Sequence, residues 1–464
     1  MPRIPAFVLA VALGNLLVPL NSTMIVVALP LIGRDLGADR VTLAWLVTSY
    51  LIAMASLQPI AGRLGDRFGR RRFMLGALAY FIVASVGAAL APNLLVLVAF
   101  RLQQAIAAAS VVPNSLALLR GSSVDGRAGT YFGISGATTS IGAAVGPLLG
   151  GVLSAIDWRL IFLVNLPLAG LALFIAWRSL PAGDPPRRTA HPDVAGAVAL
   201  GVLLSLAAWT LTEAGSSSVR ITVVLLAVVA LGAVLFLRYE SRHADPALPP
   251  FLFTIRGFTS ANLTIALSNL ALYGTFLAVP VILAGSGPDA TIRAGLAISA
   301  QSVAMIVLSP VSGALVDRVG ARWPTAIGGL LIASGLGILG LSGHAADFGV
   351  LLVCLPITGA GVALTFPATR LAALDAVPAS YAALASGVTS SSRYFGGMIG
   401  AVIAGLALVE ASEAAAGRLF VILAASGLGA AVVGLALPAR LSPDPAHRDL
   451  RADDRLDSSD AARP

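Results

Sequence analysis

The chain has 464 residues, of which 57% are hydrophobic and 11% charged, with 48 Gly and a mean hydropathy of +0.90; that balance excludes a water-soluble domain and leaves a polytopic membrane protein. All 30 basic residues are Arg, and the net charge of +8 does not signal nucleic-acid binding, because the arginines punctuate apolar spans instead of gathering on one face. The single cysteine, Cys354, lies in an apolar run, so neither a disulfide framework nor a thiol metal site is expected.

Apolar runs long enough to cross a bilayer, about 20 residues each, fall at 6–30, 42–64, 72–91, 94–118, 128–155, 160–178, 194–212, 220–238, 258–284, 293–316, 323–342, 347–374, 382–408 and 416–437. The first follows Arg3 and could mimic a signal peptide, but no small-residue cleavage site interrupts it before Pro30, so it reads as a retained span. Fourteen spans put both termini on one side of a cell membrane. About 22 Arg then fall on that side, and Arg34, Arg40, Arg159, Arg220, Arg293 and Arg418 fall opposite, which makes both termini cytoplasmic.

Between the second and third spans runs Gly62-Arg-Leu-Gly-Asp66-Arg67-Phe-Gly69-Arg70-Arg71. Gly62 and Gly69 permit tight turns, and Asp66 can accept hydrogen bonds from arginine or from the start of the third helix. The plainer reading is a topogenic loop, its arginines anchoring it inside. An echo, Gly313-Ala-Leu-Val-Asp317-Arg318-Val-Gly320-Ala-Arg322, closes a later span and marks two related halves.

Arg101 sits about seven residues into the fourth span, roughly 10 Å inside the bilayer at 1.5 Å per residue, where a charge is costly and functional by default. Snorkelling outward is the alternative. The fifth span, Gly133 to Gly151, is richer in glycine than an ordinary buried helix tolerates. Gly142, Gly146 and Gly150 recur on one face, where a second helix backbone can approach closely, and Pro147 kinks that face. A generic tight membrane helix would show the same spacing.

These stretches resemble the drug:proton antiporters of the major facilitator superfamily. Gly133, Gly142, Gly146-Pro147 and Gly150-Gly151 fill every fixed position of the fifth-helix antiporter motif, which in that family marks exporters and is thought to shape the interface on which two halves rock. The Asp66 loop resembles the family's conformational latch. Arg101, Gln104 and Ala105 resemble its fourth-helix motif, associated with proton transfer, with Ala105 where glycine is usual. Leu20-Asn21 through Ala28-Leu29-Pro30 resembles the signature of the fourteen-helix branch, with Asn21 in place of an aspartate, and an amide cannot take up and release a proton. Asn21 and Arg101 lie at similar depth and could meet. Trp158-Arg159 with Phe162, Asn165 and Pro167, and Arg393 with Phe395, Gly396, Gly397 and Gly400, extend the likeness.

The two loop motifs stand 251 residues apart, whereas six helices at about 33 residues each give about 200. The excess fits two additional helices at 194–212 and 220–238. The resemblance thus implies an all-α integral membrane fold: a six-helix bundle over 1–178, linkers and an inserted pair over 179–257, a second bundle over 258–438, and a charged tail, 439–464, expected to be disordered. It implies secondary active export of amphipathic small molecules such as drugs or antibiotics, coupled to protons, by a monomer in the bilayer without a cofactor. A narrow exporter of one metabolite or self-made antibiotic, or a channel, are the alternatives. No nucleophile, metal-ligand or ATP-binding pattern suggests an enzyme.

The cations Arg101 and Arg393 lie in mid-span, while the nearest acids, Glu213, Asp375 and Glu410, stand at span ends. Either polar groups such as Asn21 and Gln104 and cavity water compensate them, or the substrate does. In the second case the cavity favours anionic or zwitterionic molecules.

Overall fold

The computed structural model describes residues 5–37, 40–121, 126–180, 193–213, 218–243, 246–283, 290–408 and 412–439. The middle of the first linker, 181–192, and the tail from 440 onward lie outside the described residues. Among those described, every regular element is a helix: α1 (Ala6–Leu36), α2 (Arg40–Phe68), α3 (Arg70–Ala89), α4 (Leu94–Gly121), α5 (Ala128–Ile156), α6 (Leu160–Leu163), α7 (Asn165–Ser179), α8 (Val194–Glu213), α9 (Val219–Glu240), α10 (Arg256–Leu283), α11 (Ala290–Val319), α12 (Arg322–Leu341), α13 (Phe348–Asp375), α14 (Ala382–Ala407) and α15 (Glu413–Gly434). Helices α6 and α7 together form the sixth span, Leu160–Ser179.

By length and composition, 11 helices among the described residues are able to cross a membrane, or up to 12 when the two arms of α5 count as one. Two of the fourteen expected spans fall short. The apolar part of α8 runs only over Ala195–Leu211. The first half of α14 is diluted by Ser386, Thr389, Ser390, Ser391, Ser392 and Arg393. Helix α5 bends by 41° between Gly146 and Leu149, the place of Pro147, because proline leaves one carbonyl of the preceding turn without its donor.

The packing repeats. In the first half α1 lies on α5, α2 and α3 on α4, and α7 on α1 and α3; in the second, α10 lies on α14, α11 and α12 on α13, and α15 on α10 and α12. The halves meet the same way from both sides, α2 against α14 and α5 against α11. The inserted pair is peripheral: α8 rests on α2, and α9 is held by α8 alone among its larger contacts. Ile221, Val223, Leu231 and Leu235 of α9 are exposed, as suits a face turned to lipid. At the foot of this pair Asp193 Oδ1 accepts from Gly196 N (2.7 Å) and the Tyr239 hydroxyl (3.1 Å), and Glu240 Oε2 accepts from Leu248 N (3.0 Å).

Candidate functional site

Asp66 lies in the last turn of α2, and Gly69 alone makes the turn into α3 in the left-handed region, φ 97°. Its counterpart after α11, Gly320, has φ 78°. Gly62 serves otherwise than expected: it lies inside α2, where a Cβ would collide with the Ala383 carbonyl of α14. The carboxylate then reaches between halves. Asp66 accepts from Arg70 Nε (2.7 Å) and from the amides of Ala383 (3.2 Å) and Leu384 (2.9 Å). The arginine partner is as the sequence predicts; the helix start is that of α14, not α3, because the tight approach at Gly62 brings the start of α14 against the last turn of α2. Arg70 also donates to the Ala379 carbonyl ahead of α14.

The second motif mirrors the first. Asp317 accepts from the amides of Gly129 (2.6 Å) and Thr130 (2.8 Å) and from the Thr130 hydroxyl (2.6 Å), all at the start of α5. Gly129 and Gly313 leave no room for a Cβ on either. Each carboxylate therefore sits at a helix N-terminus, where orphan amides and the dipole favour negative charge. Arg67 lies over the Phe68 ring at 5.7 Å, and exposed Arg318 makes none of these contacts. At the same end Arg120, closing α4, pairs with Asp375, closing α13, at 2.7 Å. That bridge is not apparent in the sequence, since its partners are 255 positions apart.

In the middle of the first half Arg101 is fully buried. Its Nη1 donates to Gln104 Oε1 (3.0 Å), its Nε to the Leu46 carbonyl (3.4 Å), and its guanidinium lies 4.4 Å from the centre of the Tyr50 ring. Gln104 in turn donates to the Ser85 hydroxyl (2.8 Å). Polar groups and an aromatic face thus hold Arg101 in place, and snorkelling is excluded. Asn21 does not bond it: Asn21 Oδ1 accepts from Asn165 Nδ2 (3.3 Å) instead. In the second half Arg393 lies over Tyr394 at 4.6 Å, its Nε without a hydrogen-bond partner. Gly396 and Gly400, one and two turns further, pack on the Ala266 and Leu270 backbone of α10.

The glycines of α5 divide between two partners. Gly133 faces Ser309 and Gly313 of α11, across the halves, with the Ser309 carbonyl 2.5 Å from a would-be Cβ. Gly142, Gly146 and Gly150 face Leu16, Thr23 and Met24 of α1, within the first half; Gly151 is looser, 3.9 Å from Val27. Only the Gly133 end is a contact between halves. Spacing shows that these residues share a stripe, not which helix covers it.

Two further features escape sequence reading. Asp35 accepts from Trp158 Nε1 (2.9 Å) and pairs with Arg159 (3.0 Å), clasping α1 to α6. Those bonds, Trp158 first, hold its carboxyl below the usual value of 3.8. A cavity of about 900 Å³ lies away from the central arginines, between α2 and α8, with Trp45 and Trp209 along it and Arg63, Arg67 and Asp193 in its wall.

Comparison with known proteins agrees with this arrangement. The family model described as Major Facilitator Superfamily matches residues 11–287 and 261–459. The multidrug resistance protein Stp of Mycobacterium tuberculosis is 34% identical over 408 residues, 86% of this chain and 75% of that one. The tetracenomycin C resistance and export protein of Streptomyces glaucescens is 30% identical over 408 residues, 87% of this chain and 75% of that one. The structure of the proton:xylose symporter XylE with a bromo-deoxyglucose superposes with a TM-score of 0.65 at 15% identity, covering 92% of this chain and 94% of the symporter.

Proposed function

The chain belongs to the major facilitator superfamily as a drug-efflux transporter, and on that premise we propose that it exports amphipathic small molecules by alternating access, coupled to protons, as a monomer with both termini in the cytoplasm. The observation that carries this reading is the reciprocal pair of carboxylates: Asp66 holds the start of α14 and Asp317 the start of α5. Two such clasps, each closing one half on the other at one end, suit a protein that opens and closes that end. A static pore has no use for them. In this reading 1–178 and 258–438 are the two bundles and 179–257 carries the inserted pair as a peripheral strut.

Arg101, Gln104, Asn21 and Arg393 are the coupling and transport residues of this reading. Antibiotic export by the Streptomyces relative and multidrug resistance in the mycobacterial one favour drug-like cargo. Expression in a bacterium lacking its own pumps should lower accumulation of a fluorescent drug, and a protonophore should abolish the effect. Unchanged accumulation across a panel of drugs and dyes, with the protein in the membrane, would overturn the reading.

A further inference from the structure

Among the described residues Arg370, on α13, joins Arg101, Arg120 and Arg393 as a buried cation, and it is the least provided for of the four. It is 5% exposed, close to the 9% of Arg393 on the neighbouring α14. Its partner is the Phe366 ring, 3.8 Å from the guanidinium carbon; no hydrogen bond joins it to the protein among the described residues. It lies within electrostatic reach of Arg393, Tyr394 and Tyr273. Like charges held together in a membrane interior repel strongly unless an anion lies between them or beside them. Arg101 does not share this condition, since Gln104 and Leu46 accept from it.

Among the described residues no ion pair joins an acid to either arginine. Asp375, one turn beyond Arg370, is taken by Arg120 at 2.7 Å. Asp66 and Asp317 are engaged at the starts of α14 and α5. On the face of α14 that carries Arg393, the hydroxyls of Ser386, Thr389 and Ser390 are buried without hydrogen-bond partners among the described residues, as is Arg393 Nε. The site lies between the halves, because the Phe366 ring is 3.3 Å from where a Cβ on Gly136 of α5 would stand. Tyr50 of α2, in the first half, lies within electrostatic reach of Tyr394 and Arg393.

We propose that Arg370 and Arg393 together bind the acidic group of the exported molecule, a carboxylate or sulfonate, and that Phe366, Tyr273 and Tyr394 form the aromatic wall against which its rings lie. This rests on the exporter reading and narrows it to aromatic organic anions. Guanidinium recognises such oxyanions through paired, charge-assisted hydrogen bonds, which ammonium reproduces in charge but not in shape.

The test is binding to the purified full chain in nanodiscs, read by fluorescence anisotropy with carboxyfluorescein as the anionic probe and ethidium as the cationic one, against empty nanodiscs. Arg370→Gln and Arg393→Gln should each weaken carboxyfluorescein binding by about 10- to 100-fold, the scale of a lost charged hydrogen bond. Arg370→Lys should recover part of it. Ethidium binding should be undiminished in all three. Carboxyfluorescein binding that survives both Gln substitutions, or ethidium binding that falls in parallel with it, overturns the proposal. Flux in everted vesicles keeps the two readings apart: efflux of cations only, with no anion binding, defeats the anion site but leaves the exporter, whereas Arg-dependent anion binding without flux of any probe defeats the exporter but leaves the site.

Discussion

Asp66 and Asp317 stand 251 positions apart at equivalent places in two halves, and each accepts two backbone amides at the start of the other half's fifth helix. Neither bond set closes its own half. Their strength therefore bears on the equilibrium between open and closed states at that end.

Asp66→Asn and Asp317→Asn keep shape and remove charge. Each charge-assisted bond is worth about 1.5–3 kcal/mol against roughly half that for a neutral one. Either substitution should open the end by about tenfold in population, and both together by more. Spin labels at Phe68 and Val319, on a Cys354→Ser background, should report a longer distance in the singles and a further rise in the double. An unchanged distance distribution in the double would show that the carboxylates only stabilise the fold.

Gly133→Leu and Gly146→Leu should fail differently. Gly146 has Thr23 of α1 against it, within one half, so overpacking of about 1–3 kcal/mol should lower thermal stability while leaving the ends' equilibrium alone. Gly133 meets α11 across the halves, so the same bulk should favour separation at the Asp66 end. Equal loss of melting temperature with no change in spin-label distance would remove the distinction.

The Asp35 clasp makes a pH prediction. Its carboxyl is held below 3.8, by Trp158 first and Arg159 second, so its contribution is complete above that value and declines as pH falls through the lower, folded one. Acidification from neutrality to pH 4.5 should leave it intact. Tryptophan fluorescence of the parent should show a transition below 3.8 that Asp35→Asn lacks; a transition near pH 6 common to both would belong to another group.

Asn21→Asp tests the missing acid. Asn21 is buried beside Asn165 and away from the hydrogen bonds of Arg101, so a carboxyl there would gain no direct guanidinium partner without a rotation of Arg101. Export by this variant should depend more steeply on the imposed pH gradient than export by the parent. An identical gradient dependence would mean that position 21 carries no protons in either form.

Much of this was legible in the sequence because membrane chemistry writes itself in composition. Apolar runs marked the helices, and a duplicated stretch with a carboxylate and two glycines marked two related halves. Arg101 stood out because seven apolar or small residues precede it. Arg370 did not, because it lies only five residues from the end of α13 and looks like an ordinary anchoring arginine; only packing shows that this end of α13 is buried between the halves. The same holds for the glycine stripe of α5. Its spacing announces a close helix neighbour, but α1 covers one end and α11 the other, and that division comes from the tertiary arrangement.

The most direct measurement of the central claim is uphill transport by the purified chain in sealed proteoliposomes, with an imposed proton gradient and no nucleotide. The parent should accumulate a fluorescent drug against its gradient, lose that accumulation when a protonophore is added, and lose most of it in the Asp66→Asn, Asp317→Asn double variant with matched protein levels. Purely downhill flux, indifferent to the proton gradient and to both aspartates, would contradict alternating access through this clasp.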